Sequence, residues 1–388
     1  MTKTLPPAHF IPYGRQWIDE ADIRAVTEVL RGDWLTTGPC VDGFESGLQA
    51  HTGAAHAVAV NSGTAALHAA YWAAGLQSGD EIITSPLTFA ATANAARYLG
   101  ADVRFVDIDP DTGNLDPDLL EEAITDRTAL ICAVDYAGHP ADYESIGAIA
   151  KRYGLPVVAD GAHSLGATYC GRPVGTLADL TTLSFHPVKP ITCGEGGAIL
   201  TDNADWAQKM AEFRTHGITR NRKKMRAYDG PWHYEMHDLG YNYRITDMQC
   251  ALGTSQLGKL PALIDRRRHI AARYLEAFEE IDGLQLPATR DEVESGWHLF
   301  VVRVTGDRRK RPAFFEQLRQ LNLGVQVHYR PVYLHPYYRD LGYEPGLCPR
   351  AEDFYLRAVS LPLFPAMTSM EVDTVIERVR RAAEETLI

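Results

Sequence analysis

Between residues 57 and 202 short apolar runs alternate with stretches of helical pattern, and this alternation constrains the fold more than any other feature. The runs "AVAVNS", "EIITSP", "DVRFVDID" and "ALICAVDYAG" precede "GTAALHAAYWAAG", "FAATANAARYLG", "PDLLEEAIT" and "YESIGAIAKRYG"; "LPVVAD" and "LTTLSF" follow. Apolar runs this short read as strands and the segments between them as helices. Strands joined through helices run mainly parallel, with right-handed crossovers that cover both sheet faces. A proline-containing arm and a helix, "IDEADIRAVTEVLRG", ended by Gly32, come first. Near residue 250 the texture changes to a long helical region, broken near Gly258 or Pro261. It is followed by "WHLFVVRVTG" (strand), "RPAFFEQLRQLNLG" (helix) and "VQVHYRP" (strand). The expectation is an α/β chain of two domains: an arm and large domain over residues 1–258, and a smaller α+β domain over 259–388. A chain of 388 residues can bury both cores.

Several function classes are disfavoured. The formal charge of −12 argues against general nucleic-acid binding. Six cysteines lie far apart without a C-x-x-C pair, which reads as free thiols in a reducing compartment, not disulfides or a metal site. No apolar run approaches the ~18 residues of a membrane span, and "MTKTLPPAHFIPYGRQW" lacks a signal-peptide pattern. A cytoplasmic enzyme, with no metal and no nucleic-acid or membrane partner, is expected.

Lysine is scarce in the first half: Lys151 and Lys189 alone fall between residues 4 and 208. Lys151 ends a helical pattern, where a solvated cation suits the helix C-terminus. Lys189 sits in "SFHPVKPITCGEGG", held between Pro187 and Pro190 after a strand-like run. A lysine in so stiff a loop can hold its amine where it attacks a carbonyl. Asp160 ends "LPVVAD", at the strand edge where open α/β sheets bind ligands. A buried carboxylate needs a partner, and the pyridinium nitrogen of pyridoxal phosphate (PLP) would serve. An N-cap or an ion pair would serve as well. The start of "NSGTAALHAA" suits a phosphate: Gly63 permits close approach, and the helix dipole favours an anion. Ordinary capping explains that segment equally well. Ser184 could add a hydroxyl to the phosphate, Phe89 a stacking face or a core ring, and His163 a bond to Asp160 or packing near the cofactor.

Together these segments resemble the DegT/DnrJ/EryC1/StrS family of sugar aminotransferases, PLP enzymes of fold type I. "NSGTAALH", "TFAATANA", "ADGAHSLGA", "SFHPVKPITCGEGGAIL", "RTHGITR" and "GYNYRITDMQCALG" carry the resemblance, which covers nearly the whole chain. "DYAGHPAD", "DGPWHYEMHDLGYNYR" and "VQVHYRPVYLHPYY" are closest to the branch that forms pseudaminic acid. The resemblance implies that Lys189 carries PLP as a Schiff base, with PMP as the alternate form. It implies that Asp160 pairs with the ring nitrogen, Phe89 stacks on the ring, and His163 supports Asp160. Gly63, Thr64 and Ser184 would hold the phosphate, and Asn242 would reach the phosphate of a neighbouring subunit in a homodimer. Tyr13, Trp34, Leu35, Thr36, His328 and Tyr329 would contact the sugar nucleotide. One departure stands out: many relatives have Glu where this chain has Ala159.

The implied reaction moves an amino group from glutamate to C4 of a UDP-linked 4-keto-6-deoxy-N-acetylhexosamine, of L-arabino configuration. The D-xylo epimer is the main rival. A PLP-dependent dehydratase would carry histidine at position 189, and a PLP-binding regulator would carry an added DNA-binding module. Neither G-x-x-x-x-G-K-[ST] nor a strand-linked G-x-G-x-x-G is present. The cations of "HGITRNRKKMR" read either as a loop closing on the diphosphate or as a solvated loop. "DRRRH", Arg266 to Arg268, reads as a solvated helix face.

Overall fold

The structure is a computed structural model and describes Pro6 and residues 9–387. The alternation is realised as a seven-stranded sheet. Its strands are β1 (His56–Val60), β2 (Glu81–Thr84), β3 (Asp102–Phe105), β4 (Thr128–Val134), β5 (Val157–Asp160), β6 (Leu180–Ser184) and β7 (Gly197–Thr201). The spatial order is β1-β7-β6-β5-β4-β2-β3. β3, β2, β4, β5 and β6 pair parallel, whereas β7 pairs antiparallel with both β6 and β1. No helix separates β6 from β7, so the chain returns antiparallel, and the return loop carries Lys189. β2 and β5 are buried at every residue, as strands covered on both faces must be.

The helices that position the site follow from local signals. α1 (Glu20–Arg31) starts with an Asp19–Asp22 capping box and stops at Gly32. α2 (Pro39–Thr52) has no counterpart in the sequence pattern; Gly43 and Gly47 dilute its apolar stripe. α3 (Gly63–Ala73) begins at Ser62, whose Oγ accepts from the Ala65 N–H at 3.1 Å. α4 (Ala91–Tyr98) follows β2, and α5 (Tyr143–Tyr153) ends at Gly154 in the left-handed region. "PDLLEEAIT" contracts to a 3-10 turn and a single α-turn, Leu120–Ala123.

α6 (Asp247–Leu257) and α7 (Leu260–Phe278) flank the break at Gly258–Lys259. The expected domain boundary falls in this break, yet packing changes half-way along α7. Leu260, Leu263 and Ile264 belong to the same cluster as Phe185 and Ile191 of the lysine loop. From Ile270 onward α7 belongs to a second core, built on an antiparallel sheet of β8 (Leu284–Gln285), β9 (Phe300–Val304) and β10 (Ala358–Leu361). Ile11 of the arm is also in this second core and pairs with Leu323. "VQVHYRP" is not a strand. It makes one bridge, Gln326 to Ser360, because the Tyr136 hydroxyl takes the His328 carbonyl and Ser360 takes the His328 ring.

The reading of Arg266 to Arg268 as a solvated face is overturned. Arg266 donates to the Met367 carbonyl at 2.6 Å and Arg268 to that of Ser295 at 3.1 Å. Arg267 is 2% exposed. All three cap carbonyls of irregular segments, which a helical wheel does not reveal.

Gly197, the first residue of β7, fixes how closely α3 approaches the sheet. A Cβ there would lie 2.4 Å from the Ser62 carbonyl oxygen and 2.8 Å from the Gly63 nitrogen. Gly197→Ala is therefore expected to destabilise by about 1–3 kcal/mol. Thermal unfolding measures this; an unchanged midpoint would contradict the packing described.

Candidate active site

The C-terminal ends of β4, β5 and β6, the start of α3 and the loop after β2 enclose a cavity of about 440 Å³. This lies within the range of small-molecule sites, and at the sheet edge where such folds bind ligands. Gly63, Thr64, Phe89, Asp160, His163, Ser184 and Lys189 all line it, as do Tyr13, His328 and Tyr329. Thus ten of the expected site residues converge from segments spread over most of the chain.

One end of the cavity is an anion seat. Ser62 satisfies the Ala65 and Ala66 N–H groups, leaving those of Gly63 and Thr64 as donors of the first turn without a partner among the described residues. Ser184 closes against them: a Cβ on Gly63 would lie 2.9 Å from Ser184 Cβ. At the other end Asp160 is 6% exposed. Its Oδ2 accepts from Thr92 Oγ1 at 2.7 Å and its Oδ1 from the Ala162 N–H at 3.3 Å. A carboxylate has about four acceptor sites, so capacity remains for a further donor. Burial raises the Asp160 pKa, against the lowering by these two bonds and by Lys189.

Lys189 is half-buried between these ends. Its N–H donates to the His186 carbonyl at 2.9 Å, closing a turn with Pro187 at the second position, where its fixed φ belongs. Desolvation brings the amine down to about 8; Asp160 opposes the shift and Arg267 adds to it. His163 Nε2 meets Tyr329 Oη at 3.1 Å, not Asp160, and its ring lies 4.3 Å from that of His298. Burial holds His163 and His298 neutral and brings His328 down to about 4. Phe89 is 62% exposed, presenting its ring to the cavity.

Comparison with known proteins decides what the cavity belongs to. Residues 16–380 match the model of the DegT/DnrJ/EryC1/StrS aminotransferase family. The chain belongs to this family. It is 42% identical to the spore coat polysaccharide biosynthesis protein SpsC of Bacillus subtilis, over 96% of this chain and 97% of that one. It is 39% identical to the UDP-4-amino-4,6-dideoxy-N-acetyl-beta-L-altrosamine transaminase of Campylobacter jejuni, over 92% of this chain and 93% of that one. A sugar aminotransferase of Streptococcus pneumoniae, Spr1654, solved in PLP and PMP forms, superposes with a TM-score of 0.91 at 32% identity. In its PMP form the match covers 97% of this chain and 98% of that one.

As a DegT-family aminotransferase the chain uses PLP, and the residues present fit that group. The anion seat matches its phosphate, and the buried Asp160 matches the ring nitrogen. Lys189 offers an amine, and His163 Nδ1 is a buried nitrogen without a protein partner among the described residues. Ala159 is buried in an apolar cluster with Ile131 and Ala133 and does not line the cavity.

Four expected residues lie outside the cavity. Trp34, Leu35 and Thr36 are exposed, with Thr36 bridged to Thr246 ahead of α6. Asn242 is exposed beside the start of α3, and its carbonyl accepts from Asn61 Nδ2 at 3.3 Å. The basic loop also lies elsewhere: Arg222 stacks 3.8 Å over Tyr228, and Lys224 pairs with Glu212 at 3.1 Å. Sequence reasoning missed Thr92, which sits three residues after Phe89 in a segment already singled out. It also missed His298 and Arg267, which carry no local signal.

The amine's low pKa sets a pH dependence. The neutral amine is the nucleophile, so raising pH through about 8 activates it. In the full chain freed of cofactor, the rate of PLP capture should rise roughly tenfold from pH 7 to pH 9 and then level off. Visible absorbance follows it; a rate still climbing steeply beyond pH 9 would mean an ordinary lysine.

Proposed function

We propose that the chain transfers an amino group from glutamate to C4 of a UDP-linked 4-keto-6-deoxy-N-acetylhexosamine, of L-arabino configuration, in surface-glycan formation. The observation that carries this reading is the convergence of Lys189, Asp160 and the anion seat on one cavity, in a chain 39% identical to the Campylobacter jejuni transaminase. A second reading is the D-xylo epimer; the 42% identity to SpsC, a spore coat polysaccharide biosynthesis protein, supports surface-glycan formation for either epimer.

When bound, PLP supplies a carbon that takes up the amino group and a ring that withdraws electrons from it. Lys189 Nζ takes the proton from the donor α-carbon and returns it at the other reacting carbon, as general base and then acid. Asp160 holds a proton at the ring nitrogen, and Thr92 fixes the carboxylate that does so. Tyr329 orients His163, while Phe89, Tyr13 and His328 wall the reacting centre against water. In balance, glutamate and a 4-keto sugar become 2-oxoglutarate and a 4-amino sugar.

A second copy of the chain completes this reading. Trp34, Leu35, Thr36 and Asn242 lie outside their own cavity, and Trp232 and Leu239 are large apolar groups left exposed on the same chain. A homodimer would bring them to the partner's cavity, and closure of the basic loop on the diphosphate would then occur across the interface.

Glutamate alone should yield one 2-oxoglutarate per site and then stop, the sign of a two-stage exchange. Each 4-keto epimer offered in turn, with NMR of the amino-sugar product, identifies the acceptor. Turnover of neither sugar would sink the assignment.

A further inference from the structure

We propose that Arg267, on α7, is a positioning residue for Lys189: its guanidinium clamps the turn that carries the lysine and places an unpaired positive charge behind the amine. Arg267 is 2% exposed, and no carboxylate pairs with it among the described residues. Every hydrogen bond it makes goes to a backbone carbonyl. Nη1 donates to Leu363 at 3.1 Å and to Trp297 and His298 at 3.3 Å; Nη2 donates to Val188, the residue before Lys189, at 3.4 Å. A small recess behind the active-site cavity is lined by both Lys189 and Arg267.

A buried guanidinium without a carboxylate is expensive, and an apolar side chain of similar volume would fill the space at less cost. The carbonyls it caps come from three segments that must meet behind the lysine: the return loop at Val188, the stretch before β9 and the segment after β10. Arginine's planar fork can hold three chains at once, which an ammonium cannot. The charge has a second effect. Asp160, at the end of β5, favours the protonated amine, and Arg267 opposes it. The other groups around Lys189 contribute little fixed charge. His163, His298 and His328 are held neutral, and burial holds the Tyr329 hydroxyl protonated. Arg15, in the same recess, lies 5.2 Å over the Phe364 ring; His186 and Glu195 line the cavity as exposed groups. Arg267 thus adds to desolvation, the larger cause, in offsetting the carboxylate that the ring nitrogen requires, so that Lys189 becomes a neutral base as pH rises through about 8.

This inference rests on Lys189 being the cofactor-bearing amine, and the test separates the two. In the full chain freed of PLP, Lys189 is labelled with an amine-specific reagent as a function of pH and quantified by mass spectrometry. The native midpoint should lie near 8. Arg267→Gln keeps donors but loses the charge; its midpoint should rise by roughly half a pH unit or more, the scale of one charge at an effective dielectric of about 20. Arg267→Lys should keep the native midpoint while capturing PLP more slowly, because the fork is lost. A merely structural role would lower stability, read by thermal unfolding, without moving the midpoint. A folded Arg267→Gln chain with the native midpoint would overturn the proposal. Should that variant fail to fold, Arg267→Lys decides: a midpoint that rises with the charge still present overturns it, and one that holds supports it. Failure of the native chain to develop a visible PLP band would instead count against Lys189 as the cofactor lysine, whatever the midpoints.

Discussion

A carboxylate buried at the end of a parallel strand is the constraint to which the rest of the site answers. Placing Asp160 there costs on the order of several kcal/mol unless partners offset it. Thr92 and the Ala162 N–H supply two, and the cavity side is left for a third. The lysine must then work beside this charge without being locked as a cation. Burial of the amine acts in that direction most strongly, and the unpaired arginine behind the loop adds to it. The anion seat lies apart from these groups and rests on close approach, with Gly63 and Gly197 admitting contacts that a Cβ would not allow.

The topology explains why these groups meet. Parallel strands bring their C-terminal ends to one edge, so Asp160 and Ser184, on neighbouring strands, face the same space. The antiparallel return of β7 turns the Lys189 loop back over that edge. α7 then ties the loop to the second core: its first turns pack with Phe185 and Ile191, its later turns with Phe300, and Arg267 stands where the two meet. The site is therefore coupled to the packing between the two cores and not only to the large sheet.

Much of this was legible in the sequence, and the exceptions have physical reasons. β5 and its aspartate, the capped start of α3 and the doubly proline-flanked lysine are local patterns, and each is found where its pattern indicates. The antiparallel sense of β7 depends on what is missing between two strands, which periodicity does not report. α2 was hidden by Gly43 and Gly47, and "VQVHYRP" looked like a strand although tertiary hydrogen bonds draw it into the cavity wall. Arg267 was read as solvated because its helix is polar on average; its burial depends on carbonyls brought together from distant segments. His298 is invisible for the same reason, lying behind His163 only once the second core is docked.

The central claim is that Lys189, and no other lysine, is the amine that holds the cofactor in a site shaped by Asp160. Borohydride reduction of the PLP-loaded chain, followed by peptide mass spectrometry, tests it most directly. The expected result is one modified peptide, the one that contains Lys189, and no reducible PLP in Lys189→Ala. PLP fixed to any other lysine, or an alanine variant that still forms a reducible yellow adduct at full occupancy, would contradict it.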